Sequence, residues 1–307
     1  MKKFLLTILL FMSPAILWAQ EDIQKVSLPT EVKQEMKVSI TDPSIEGKVW
    51  NRWTSKNFVV CSIDNKQAQY LHQHLELVKG WVLTRWGLYD IPFSSECRVI
   101  AVDDPVLYEK LFKIKESKVE IRRDEGGKIK MSVIFLLLSD KPSETVPVPL
   151  TEVCMAEFQQ RYNTNFGWWA HRGMALLNGS LPQIRSNMTA LAAPLQNNQP
   201  MYFSEGLLTM TEEAYMKETP ERQRLFDQTA MAFCLLLRKE FGQNKFHWML
   251  KKTEAKGDGQ VALKEVLGFE DYSHFDKTFK RYMTDITRDI SQNKTPDSYL
   301  QVSESTR

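Results

Sequence analysis

No C-x-x-C pair occurs in the chain, so the spacing that thiol–disulfide exchange and cysteine-based zinc sites need is missing. There is no G-x-S-x-G, and with it no nucleophile elbow. No glycine-rich phosphate loop is present either. Sustained Lys/Arg runs are absent too: Ile121-Arg122-Arg123 is followed at once by Asp124 and Glu125, and the whole chain has a formal charge of +2. A nucleic-acid partner needs a basic surface to neutralise phosphates, so none is expected. After the N-terminal stretch, no segment approaches the roughly 20 apolar residues of a helical span, so no membrane span is expected in the mature chain.

The N-terminus is where apolar residues do run together. Lys2 and Lys3 precede an apolar run from Phe4 to Trp18, and Ala19 is small enough for a cleavage position. Residues 1–19 therefore read as a secretory signal peptide, and the expected location is exported, periplasmic or extracellular. Removing Lys2 and Lys3 leaves a formally neutral chain. No cysteine precedes Cys61, so a lipid-modified N-terminal cysteine is not expected. The four cysteines, Cys61, Cys97, Cys154 and Cys234, leave two states open for an exported protein, two disulfides or four buried free thiols. With 43% hydrophobic residues and eight tryptophans the chain can bury a large core.

Patterning divides what remains. Residues 20–48 are polar and without periodicity, a loosely ordered lead-in. Over 49–148 the pattern is a small α/β unit. Phe58–Ser62 lies in a β-branched apolar run, and Leu71, Leu75, Val78 and Val82 mark an amphipathic helix closed by Gly87. His72 and His74 are two apart and are expected to face solvent rather than share a site. CRVIAVDD is a second strand, and KVEIRR and KIKMSVIFLLL form a hairpin across Gly126-Gly127. VPVP at 146–149 is expected to hold off helix until Leu150. Residues 149–290 are helical, with segments at 150–161 and 168–177, a helix opened by Thr219-Pro220, and an apolar helix over 225–241 ended by Gly242. Residues 291–307 read as a frayed polar tail.

One stretch carries more than folding information, PLTEVCMAEFQQRYNTNFGWWAHRGMALL at 149–177. A helix holds zinc when two histidines four apart share a face and an adjacent glutamate polarises the bound water. From about Ser55 to Ile286 the chain resembles the peptidase-MA-like gluzincins of bacterial envelope proteins. GWWAHRGMALLNGS is similar to their W-L-x-E-G-L-A segment, FSEGLLTM to a downstream L-x-E-L-L element, and LKEVLGFEDYSHFDKTFKRYM to their closing helices. The resemblance implies an α+β fold: a small mixed α/β unit followed by a helical, zincin-like C-terminal half.

Laid onto this sequence, the motif puts Thr151 and Met155 at the two histidine positions, Arg172 at the third ligand and Glu152 at the general base. Only Glu152 matches. A hydroxyl, a thioether and a cation do not hold zinc, although the family's cofactor is zinc, so no cofactor is expected. Arg172 is expected to stand in for the cation by pairing with Glu152, because a buried unpaired carboxylate is costly. The implied protein has lost zinc and peptidase activity and binds a peptide or a cell-envelope component. The alternative is an active hydrolase with an atypical site drawn from Glu152, Glu157, His171 and Glu205.

Overall fold

A computed structural model of the chain describes residues 24–26, 50–139, 142–197, 201–254 and 259–300. The segment expected to be a signal peptide, 1–19, lies outside them. The N-terminal half is built on strands β1 (Gln24–Val26), β2 (Trp50–Thr54) and β3 (Phe58–Ser62), helix α1 (Asn65–Arg85), strand β4 (Cys97–Val102), helix α2 (Pro105–Phe112), and strands β5 (Lys118–Arg123) and β6 (Ile129–Leu137). They form one mixed sheet in the order β1-β2-β3-β4-β6-β5. β3, β4 and β6 run parallel in its centre, and β1, β2 and β5 are antiparallel to their neighbours. A parallel pair needs a long crossover, and α1 and α2 supply one each.

Local chemistry sets the ends of these elements. Asp64 caps α1 by accepting from the Lys66 and Gln67 amides, and Asp104 caps α2 in the same way from Val106 and Leu107. Gly87 turns the chain after α1 at φ +71°, and Gly127 alone of the hairpin pair takes a positive φ, +79°.

Helices make up the rest: α3 (Pro142–Thr145), α4 (Pro147–Tyr162), α5 (Trp168–Leu177), α6 (Leu181–Ala190), α7 (Ala192–Gln196), α8 (Ser204–Leu208), α9 (Glu212–Lys217) and α10 (Pro220–Leu236). α10 runs into a π-helical turn, Leu237–Phe241, followed by α11 (Gly242–Lys252) and α12 (Gly259–Ala262). A second π turn (Leu263–Leu267), α13 (Tyr272–Ser291) and α14 (Asp297–Leu300) close the described chain. One sheet face and the helices share a single apolar core, from Phe58 on β3 to Leu300 on α14. The opposite sheet face holds a smaller core around Trp50, Tyr108 and Phe135, covered by α2.

Four expectations need correction. Helix α4 starts at Pro147, not Leu150: the amides of a first helical turn have no intrahelical acceptor, so Pro147 and Pro149 lose no bond there. Part of the expected lead-in, Gln24–Val26, is a strand pairing with β2. Part of the expected frayed tail is ordered, with Leu300 fully buried, while residues 301–307 lie outside the description. His72 is half-buried with its ring 5.4 Å from Trp53, and half-buried His74 stacks on Tyr70 at 4.1 Å.

The four cysteines are buried free thiols. Cys61 and Cys97 lie on neighbouring strands, but Cys61 is opposite Ile100, and Cys97 is opposite Phe58. Their side chains enter different cores, Cys61 the small one and Cys97 the large one.

Candidate functional site

Helices α4, α5 and α10 bring the singled-out residues together. Thr151 and Met155, four apart on α4, share its inner face and are 0% and 1% exposed. The Thr151 hydroxyl donates to the Pro147 carbonyl at 2.6 Å and accepts from the Asn178 amide at 2.8 Å. Asn178 in turn accepts from Arg85 at 3.2 Å. Thr151 is thus one link in a buried polar chain tying α1, α4 and the end of α5 together. Met155 is packed in the large core.

Glu152 leaves α4 beside that face and is half-buried. Its Oε1 accepts from Arg172 Nη1 at 2.5 Å. The same guanidinium reaches Asp227 on α10 through two bonds, Nε to Oδ1 at 2.8 Å and Nη2 to Oδ2 at 2.6 Å. This is the fork geometry that makes arginine–carboxylate pairs strong. Tyr215 on α9 donates to Asp227 Oδ2 at 3.1 Å, and its ring centre lies 5.5 Å from the guanidinium carbon. Burial alone would lower the Arg172 pKa, but Glu152 and Asp227 push it well above its ordinary value. Burial raises the Glu152 carboxyl, the Asp227 charge adds to that, and Arg172 opposes it.

Sequence reasoning missed Asp227 and Tyr215. Asp227 had a signal: it is the carboxylate in LFDQTAMAFCLLL, and a charge heading an apolar helix needs a partner. Tyr215 had none, because its place depends on how the short α9 folds back.

The alternative acid–base residues are held separately. His171 is 8% exposed, donates from Nε2 to Gln159 Oε1 at 2.9 Å, and stacks on Trp168 at 5.5 Å. Burial, with the nearby charges of Arg172 and Arg123, lowers its pKa to about 4, so it is neutral at pH 7. Buried Glu157 accepts from the Ser94 amide and hydroxyl at 2.8 and 2.7 Å. Glu205 is exposed in the first turn of α8. His247 bonds the Trp86 carbonyl at 2.6 Å.

Among the described residues no three His, Cys, Asp or Glu side chains converge as metal ligands. The donor set at the zinc positions implied by the resemblance does not fit zinc. Thr151 is engaged by Asn178 and Pro147, Met155 is sealed in the core, and Arg172 brings a positive charge where the ion would sit. No helix among the described residues is long and apolar enough to cross a membrane. No family model matches the chain, and no curated protein matches it.

Proposed function

We propose that this chain is an exported, gluzincin-like protein without peptidase activity, and that it serves as a binding scaffold for a peptide or a cell-envelope component. One observation supports the reading above the others: Arg172 is clamped between Glu152 and Asp227. A general base works on a water that a metal ion polarises, and Glu152 instead faces a guanidinium that is itself clamped to Asp227. In place of a divalent cation the site has a fixed side-chain cation with its own pair of anions. The zincin-like assignment of the helical half belongs to the same proposal and rests on the order of the sequence segments.

The test is zinc content and turnover on one preparation. Purified protein incubated with zinc and desalted is expected to retain well under one zinc per chain and to leave a fluorescent casein substrate intact. One firmly held zinc per chain, or hydrolysis abolished by Glu152→Gln, overturns the proposal in favour of the hydrolase reading.

A further inference from the structure

The end of α1, the residue after α5 and the π turn after α10 bring a second set of charged side chains together. Arg85, the last residue of α1, is 5% exposed. It donates to Asn178 Oδ1 at 3.2 Å, and its guanidinium carbon lies 5.0 Å from the Trp81 ring centre. Arg238 and Lys239, both half-buried, are neighbours in the π turn, a helical irregularity that recurs at functional sites. The guanidinium carbon of Arg238 is 5.9 Å from the ring centres of both Trp86 and Phe246. Lys239 Nζ lies 5.6 Å from the Tyr299 ring centre.

These cations act on one another. Burial, and after it the charge of Arg238, lowers the Arg85 pKa to about 10. Burial, then Arg238 and Arg85, lowers that of Lys239. His247, whose Nε2 bonds the Trp86 carbonyl, also has its pKa lowered, by burial first and then by Arg238. No carboxylate among the described residues pairs with Arg238. Glu240, next in the π turn, accepts from the Tyr299 hydroxyl at 2.9 Å.

Two unmatched hydrogen-bonding groups lie here, and both are donors. Arg238 Nη1 and Trp86 Nε1 are buried without an acceptor, and Trp86 is fully buried. They belong to neighbouring side chains, since the Trp86 ring is one of the two beside the Arg238 guanidinium. An aromatic face attracts a guanidinium but does not accept from its N–H as an oxygen does. A buried N–H left without a partner is costly, and buried like charges add to the cost. A water molecule would satisfy a donor and leave the charges together. An acceptor that carries negative charge answers both demands.

We infer that this cluster is an oxyanion site that takes a phosphate or sulfate dianion among Arg85, Arg238 and Lys239, with Trp86 Nε1 as a neutral donor. Arginine forks match the oxygens of such groups, and three positive side chains suit a dianion better than a lone carboxylate. The backbone holds the parts in place: a Cβ at Gly87 would collide with Gln243 and His247, so α11 is set tightly against the turn that carries Trp86. None of these residues belongs to the Arg172 cluster, so the inference stands apart from the proposed scaffold role. Filling the site relieves the repulsion where α1 and α10 meet, and the anion is therefore expected to stabilise the fold.

The test is the thermal midpoint of the purified protein in sodium phosphate or sodium sulfate, against sodium chloride of equal ionic strength. A saturable rise is expected, about 5 °C once the oxyanion exceeds its dissociation constant a hundredfold. Both anions also stabilise proteins by exclusion from their surfaces, an effect that does not saturate and that every variant shares. Arg238→Met should lose the saturable part. Arg238→Lys keeps the charge without the fork, should bind about tenfold more weakly, and serves if the methionine variant does not fold. Lys66→Gln removes an exposed charge about 28 Å away along α1 and should respond like the native protein. A rise no greater than in chloride, or one that the Arg238 variants keep in full, overturns the inference. Glycerol 3-phosphate separates the sources: saturation below the concentration that inorganic phosphate needs assigns the site to an esterified phosphate, and saturation above it to the free ion.

Discussion

Arg172 stands on α5 with carboxylates from α4 and α10 on either side, and its three side-chain nitrogens are all used. Removing it leaves two anions facing each other at 24% and 13% side-chain exposure. Breaking a buried pair from one side costs about 3–5 kcal/mol, and the partial exposure here places Arg172→Met near the lower figure, about 3 kcal/mol. Arg172→Lys keeps the charge but loses the fork, so it should recover only part of that loss. Denaturant midpoints of the three proteins check both statements, and an unchanged midpoint for Arg172→Met removes the cluster's structural role. His171 gives a pH signature. Its folded pKa, about 4, lies below the ordinary histidine value of 6.5, so between those values the unfolded chain binds more protons. Stability is therefore fully present above about pH 6.5 and falls as pH drops towards 4, by about 3 kcal/mol in all. His171→Gln should flatten the melting temperature over this window and leave the decline below pH 4 in place. A wild-type curve already flat between pH 6.5 and 4 contradicts the assignment.

At the level of elements, close approach and caps decide more than propensity. Gly173 lies where α5 crosses α10: a Cβ there would sit 2.4 Å from the Ala230 carbonyl oxygen and 2.5 Å from Cys234 Sγ. Neither helix can yield without moving the core between them, so Gly173→Ala should destabilise by about 2–3 kcal/mol, as overpacked cores do. Gly80 is the contrasting case. Its Cβ position is open, so Gly80→Ala should stabilise α1 by up to about 1 kcal/mol. Thermal melts of the two variants should shift in opposite directions; shifts of the same sign contradict the contact geometry. The sequence disclosed elements in proportion to how local their causes are. α5 falls on 168–177 as patterning places it, because Gly167 and Asn178 bound it directly. α4 starts at Pro147 rather than at Leu150 because the exclusion of proline from helix interiors has no force in a first turn. The helix opened at Thr219-Pro220 and the apolar run over 225–241 are one helix rather than two, and the run ends in a π turn whose extra residue leaves no trace in hydrophobic periodicity.

Across the whole molecule, what sequence could not supply is the pairing of distant segments. The strands β3, β4 and β6 are readable one by one as β-branched runs, but their parallel order depends on which helix crosses which face. The candidate site divides in the same way. Glu152 and Arg172 come together across one helix turnover and are within reach of motif spacing, whereas Asp227 is 55 residues beyond Arg172. Cysteine pairing is the sharpest case. Cys61 and Cys97 sit on adjacent strands, yet alternation along a strand sends them to opposite faces. Cys154 and Cys97 both enter the large core, where burial pushes both thiols up in pKa, Cys97 and Cys154 alike, and disfavours the thiolate that disulfide exchange requires. Cys61 is pushed up to about 11 by the same cause. Protein prepared from an oxidising compartment without reductant should therefore show no fast reaction with a thiol reagent when folded, and should titrate all four thiols once unfolded in denaturant. Two thiols in place of four would mean that one pair has been bridged, and the strand registers that separate Cys61 from Cys97 predict that this pair is not the one.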